Sequence, residues 1–299
     1  IQSFELEIDS NGGRYKYELA LEYEPQSAKF KIQNERLWFN GQPLLQFEQG
    51  EVQLYKDDDS EWSKYPFNSL QSVLSSIAPR ADNKKIIGFK ERLERFLIVK
   101  IIPSLMLDES NREESFLESS LSNYASWYRY LSQDQSNIFK LAETLKEVFE
   151  DFSYFKFEQI GTNKLAFKAT FSRESGNSDY NFTQLSDGQR ALIALYTLIT
   201  CTESKDYTLC LDEPENFVAL PEIQPWLIQL QNLCMEQKIQ ALLISHHPEL
   251  MNMFTSSSSY WFERKNQSMP VRIKRVKDDQ NTGLPISELI ARGWLNDEA

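Results

Sequence analysis

Apolar and polar residues alternate through much of the first 55 positions. SFELEID (3–9), RYKYELALEYE (14–24), KFKIQNERLWF (29–39) and EVQLY (51–55) carry a period near two, the pattern of strands with one buried face. Asn11-Gly12-Gly13 and Asn40-Gly41 fall between these runs, and such pairs favour the left-handed backbone of a tight hairpin turn. An antiparallel sheet is predicted here.

The period then changes. FNSLQSVLSSIA (67–78) and FKERLERFLIVKIIP (89–103) mix helical spacing with a short apolar run ending at Pro103. Residues 111–150 read as helices, with Ile138, Leu141, Leu145, Val148 and Phe149 on one face of SNIFKLAETLKEVFEDF. Two strands are predicted in FKFEQI and KLAFKATF, followed by a polar loop, SRESGNSD (172–179). After the loop come a helix from 187, a strand YTLCL (207–211), a helix after Pro221 and a strand ALLIS (241–245). That order and spacing fit a parallel βαβ unit. The expected organisation is 1–60 as an antiparallel β part, 61–155 as a helical insertion and 156–299 as an α/β core.

Composition narrows the class without deciding it. Of 299 residues, 41% are hydrophobic and 13% aromatic, enough for one large or two modest cores. Runs such as ALIALY (191–196) fall far short of the roughly 20 residues of a membrane span, so no membrane is expected. Cys201, Cys210 and Cys234 lack disulfide or zinc spacing, which favours reduced thiols and a cytoplasmic setting. A net charge of −12 argues against wholesale nucleic-acid wrapping but leaves room for a local basic groove. Two clusters qualify: Lys84, Lys85, Lys90, Arg92, Arg95 and Lys100, and Arg272, Lys274, Arg275 and Lys277. Both read first as solvated faces, and so does the acidic run DDDSE (57–61).

Three short stretches carry candidate chemistry. Ser186 precedes an apolar-periodic helix and Gln189 lies three residues on, a capping box that starts the helix. Gly188 permits close backbone approach, and first-turn amides attract anions; a plain helix start is the simpler reading. In YTLCLDEPENF an apolar strand delivers Asp212 and Glu213 to its carboxyl end, where open α/β sheets place ligands. There one carboxylate suits Mg²⁺ and the other suits deprotonation of water, with a strand-end turn as the alternative. ALLISHHPEL ends a second apolar strand in Ser245, His246 and His247, the chain's two histidines among them. A histidine there can meet a phosphate or a water, or simply bond its neighbours. No third zinc ligand lies at suitable spacing.

Together, LSDGQ (185–189), TLCLDEP (208–214) and LLISHHP (242–248) resemble the signature, Walker B strand and switch-histidine loop of an ABC-type ATPase. The wording DEPEN, and the long strand-and-helix segment before the signature, are more similar to the soluble RecF and SMC branch than to transporter motors. The resemblance implies an ABC-ATPase head, α/β in class, with an antiparallel β-subdomain, a helical insertion and a mainly parallel core sheet. It implies that Ser186 and Gly188 contact ATP held by the opposite protomer, with Gln189 supporting the turn. Asp212 would serve Mg²⁺, Glu213 would be the general base and His246 the switch histidine. Glu215 and Asn216 fall where such proteins cross between protomers.

The implied function is ATP hydrolysis coupled to opening and closing of a head-to-tail homodimer or higher oligomer. An effector protein or DNA would be the partner, in antiphage defence or DNA maintenance. The alternative is a nucleotide-gated or degenerate, non-hydrolysing subunit that holds DNA or an effector. One part is not in the sequence: none of the ten glycines is followed by Lys, so the phosphate loop G-x-x-x-x-G-K-[ST] does not occur. Residue 1 is an isoleucine, and the loop is expected upstream of the first strand, in a unit of about 30 residues or more.

Overall fold

The computed structural model describes every residue except 27, 175, 204–205, 255–258, 265, 267–268, 277–283 and 293–299, and residue 290 in its backbone alone. The chain divides into two compact units, Ile1–Phe96 and Leu97–Ala299. The sequence pattern suggested three segments. In the structure the short helices after residue 60 complete the N-terminal unit's own core.

The N-terminal unit is a six-stranded antiparallel meander in the order β1-β2-β3-β4-β5-β6. Its strands are β1 (Gln2–Ser10), β2 (Gly13–Glu24), β3 (Lys29–Phe39), β4 (Gln42–Glu48), β5 (Glu51–Tyr55) and β6 (Glu61–Pro66). The turns are the predicted ones: Asn11 and Gly12 sit at φ 55° and 76°, Asn40 and Gly41 at 50° and 81°, the paired left-handed conformation of a type I′ hairpin. Alternation sends Ile8, Tyr15, Leu37, Leu45, Phe47, Val52 and Leu54 into one core with Val73 and Leu74 of α1 (Val73–Ser76) and Ile86 and Phe89 of α2 (Lys84–Leu93). A fully buried carboxylate, Glu35, ties sheet to helix. It accepts from Tyr17 Oη at 2.8 Å, Ser72 Oγ at 2.6 Å and the Val73 amide at 2.7 Å.

Among the described residues, the second unit holds two larger sheets and one two-stranded pair. In one, β8 (Glu109–Ser110), β9 (Phe152–Gln159) and β11 (Gly176–Asn181) all pair with β10 (Leu165–Arg173). The segment predicted as a polar loop at 172–179 is thus a hairpin. Asp179 explains why so polar a strand forms: it takes Lys156 Nζ at 2.5 Å and Thr170 Oγ1 at 2.8 Å from its neighbours. Of the helices predicted across 111–150, α3 (Tyr124–Leu131) and α4 (Gln135–Val148) form.

The other sheet has the order β13-β12-β7, from β7 (Phe96–Val99), β12 (Thr208–Asp212) and β13 (Gln240–Ile244). Two long helices separate these strands in sequence, α5 (Asp187–Thr202) before β12 and α6 (Leu220–Met235) between β12 and β13. β12 and β13 run parallel, Thr208 opposite Gln240 through Asp212 opposite Ile244, as the βαβ reading expected. Leu97, Val99, Leu209 and Leu211 join one core with α5 and α6. Residues 190–202 of α5 are buried on every side, the mark of a central helix. Alternation turns Ile98, Leu242 and Ile244 the other way, where they are exposed.

The chain continues through α7 (Pro248–Phe254), the antiparallel pair β14 (Tyr260–Glu263) and β15 (Arg272–Arg275), and α8 (Ile286–Ala291). Ile286 and Leu289 are buried; Lys277, part of the second basic cluster in the sequence, lies outside the described residues. No described helix is long and apolar enough to cross a membrane.

Candidate functional site

The Ser186 turn is built from the side. Tyr124 stacks on Phe182 with centroids 5.1 Å apart, and its hydroxyl meets Thr197 Oγ1 at 2.8 Å. These contacts hold both the segment before α5 and the body of the helix. At the helix start the predicted capping box is present: the Gln189 amide donates to Ser186 Oγ at 3.2 Å, and the Ser186 amide donates to Gln189 Oε1 at 3.0 Å. Asp187 in the first turn binds Arg190, a nearly buried guanidinium that also reaches the Pro103 carbonyl at 2.5 Å. Gly188 has a specific steric reason. A Cβ there would lie 2.9 Å from the backbone oxygen of Phe217, so the close approach this glycine permits is by its own chain.

Phe217 belongs to the turn that leaves β12. Asp212 ends the strand, and the Glu213 amide continues the ladder by donating to Ile244 O at 2.7 Å. The backbone then reverses, with Glu213 at φ 51° and Phe217 at φ 72°. Side chains with a Cβ enter this left-handed region at a cost. Asn216 Nδ2 donates to Glu213 Oε2 at 2.8 Å, closing the turn.

Asp212, Glu213 and His246 come together at the carboxyl ends of β12 and β13. His246 Nδ1 lies 3.1 Å from Glu213 Oε1. The adjacent histidine does something else: His247 Nδ1 accepts from the Glu249 amide at 3.2 Å at the start of α7. Below them, Ser245 Oγ donates to the buried Glu215 at 2.5 Å and accepts from the His247 amide at 3.0 Å. Glu215 thereby ties the two strand ends together.

Lys100 completes the cluster. It directly follows β7, and Lys100 Nζ sits 2.8 Å from Asp212 Oδ2 and 3.8 Å from Glu213 Oε2. The hydrogen bond to Asp212 is the main reason its ammonium is held above the ordinary lysine range. In the sequence this residue was grouped with a basic surface. That grouping does not survive as one patch, because Arg92 is buried over Phe96 and Lys90 Nζ is bound to the Ile77 carbonyl. Among the described residues no hydrogen bond links Ser186, Gly188 or Gln189 to Asp212, Glu213 or His246; Gly188 does pack closely against the Phe217 turn that follows β12.

Among the described residues no group of three or more His, Cys, Asp or Glu side chains forms a metal cage. Mg²⁺ does not need one, since it keeps waters and uses one or two carboxylates together with substrate phosphates. The all-oxygen pair Asp212 and Glu213 fits that habit and already faces one cation, the Lys100 ammonium.

A mixed α/β unit with paired carboxylates at a parallel strand end places them where open α/β sheets bind ligands. The family model described as "AAA domain, putative AbiEii toxin, Type IV TA system" matches residues 3–252, and the chain belongs to this family. No curated protein sequence matches the chain. Two solved structures are similar. One is titled "Structural biochemistry of ATP-driven dimerization and DNA stimulated activation of SMC ATPases"; it is 9% identical, covers 57% of this chain and 98% of its own, and has a TM-score of 0.38. The other, "Crystal structure of the SmcHead bound to the C-winged helix domain of ScpA", is 10% identical, covers 79% and 68%, and has a TM-score of 0.40.

Proposed function

We propose that the chain is the ATP-hydrolysing head of a dimer that closes around nucleotide. The observation that carries this reading is the meeting of Asp212, Glu213 and His246 at adjacent parallel strand ends, with Glu213 and His246 3.1 Å apart. Glu213 is the general base. Asn216 donates to one of its carboxylate oxygens and His246 Nδ1 lies 3.1 Å from the other, so the group is positioned before substrate arrives, which is how positioning lowers a barrier. Asp212 is the metal ligand. Mg²⁺, when bound there, would neutralise developing charge on the transferred phosphoryl group.

Ser186, Gly188 and the first-turn amides of α5 face the nucleotide of a second protomer. The capping box rigidifies that turn, and the helix dipole favours a phosphate there. The loop G-x-x-x-x-G-K-[ST] that would cradle each protomer's own phosphates is not among these 299 residues. Dimer closure would bring Ser186 of one head to the phosphates of the other, and hydrolysis would release it; the load is DNA or an effector protein in the cytoplasm, consistent with antiphage defence or DNA maintenance.

Glu213→Gln tests the assignment. It keeps the size and the hydrogen bond from Asn216 but removes the base. Phosphate release should fall by roughly 10²–10⁴-fold, while ATP-dependent dimer measured by light scattering should persist longer. Hydrolysis at the parental rate would show that Glu213 is not the base. A protein that binds ATP and dimerises but releases no phosphate in either form would favour the non-hydrolysing scaffold.

A further inference from the structure

The cation already seated between the two carboxylates has a role of its own. Lys100 is fixed at its root: its amide donates to Ser119 O at 2.8 Å, and the residues on either side, Val99 and Ile101, are buried. Its side chain is half-exposed, with the ammonium on Asp212 Oδ2 and close to Glu213 Oε2. Among the described residues no other lysine or arginine makes an ion pair with either carboxylate. Two adjacent carboxylates repel each other, and one positive charge near both relieves that repulsion.

We propose that Lys100 is the counter-cation of the metal-free site and competes with a divalent cation for Asp212, so that metal enters only by displacing the ammonium. This rests on the reading of Asp212 as the metal ligand. The ammonium and a divalent ion want the same carboxylate oxygen, and once the metal is there the two cations repel. A flexible four-carbon stem lets the ammonium leave without moving the backbone. The oxygen donors are therefore kept oriented and charge-balanced while the site waits, and free metal binds more weakly than the bare carboxylates would bind it. Lys100 is in this sense a positioning residue that sets metal affinity.

The test is Mn²⁺ binding to the nucleotide-free chain, read from the loss of the free-ion electron paramagnetic resonance signal. It compares the parent with Lys100→Met, Lys100→Arg and Asp212→Asn. Lys100→Met should bind Mn²⁺ about two- to five-fold more tightly, the scale on which a half-exposed ion pair acts. Lys100→Arg, which keeps the charge, should bind like the parent, and merely structural damage would not give tighter binding. Asp212→Asn should lose the site. If binding is lost in Asp212→Asn but Lys100→Met is no tighter than the parent, the Lys100 proposal fails alone. If Mn²⁺ binding survives Asp212→Asn, the metal assignment fails and takes the proposal with it. Undetectable binding in the parent and in Lys100→Met alike also overturns the proposal, since removing the competitor would then have gained nothing.

Discussion

Replacing Gly188 with alanine sets two effects of opposite sign against each other. Alanine is a better helix former by about 0.8–1.0 kcal/mol in a helix interior, and less than that in a first turn, where Gly188 sits two residues after the cap. Against this stands the new methyl group, 2.9 Å from Phe217 O. The obstacle is backbone, in a turn already strained by positive φ at Glu213 and Phe217, so it cannot swing aside as a side chain would. Overpacking of this kind costs about 1–3 kcal/mol, and the net expectation is a loss of about 1–2 kcal/mol. In a unit spanning residues 97–299, that corresponds to a fall of about 2–8 °C in its thermal midpoint. Differential scanning calorimetry of the parent, Gly188→Ala and Gly188→Ser reads it directly. An unchanged or raised midpoint in Gly188→Ala would mean that helix propensity wins and that the Phe217 turn yields freely, refuting the argument that this glycine is required by its own chain.

Two further outcomes follow from buried groups. Glu35→Ala strands three donors, Tyr17 Oη, Ser72 Oγ and the Val73 amide, and should cost the N-terminal unit about 1–3 kcal/mol; a urea midpoint equal to the parent's would show that water replaces the carboxylate without loss. In the second unit, burial is the main cause that holds the Tyr124 and Tyr128 hydroxyls protonated above the ordinary tyrosine value of 10.0. Above about pH 10 the unfolded chain releases these protons and the folded chain keeps them. Its stability is therefore fully present below that pH and lost as pH rises further. Tyr124→Phe should flatten the decline in a series of melts between pH 9 and 11, and an equally steep decline would refute the linkage.

How far the sequence could be read depended on the range of the forces involved. The hairpins at Asn11-Gly12 and Asn40-Gly41 and the box joining Ser186 to Gln189 are local, each decided within four residues, so residue type and spacing revealed them. The parallel pairing of β12 and β13 was also legible, because two apolar runs with a helix between them have few other ways to pack. Lys100 was not. Its meeting with Asp212 spans 112 positions and depends on β7 lying beside β12, which no local pattern reports. Among the lysines and arginines of its cluster it looked like one more solvated charge. Strand β11 was missed for a different reason: GNSDYN has few residues with strand preference, and its stability comes from Asp179 binding side chains on β9 and β10. Phe217's pressure on Gly188 was hidden too, since a glycine at a helix start is compatible with a neighbour, a ligand or nothing at all.

The left-handed backbone at Glu213 bears on how this chain would respond to engineering. Glycine tolerates that conformation without strain, so a library screened only for heat resistance should enrich Glu213→Gly and Phe217→Gly. The first would discard the carboxylate proposed to do the chemistry, and the second would loosen the turn that seats it. Thermostabilising this chain without an activity filter would therefore select against its own candidate site.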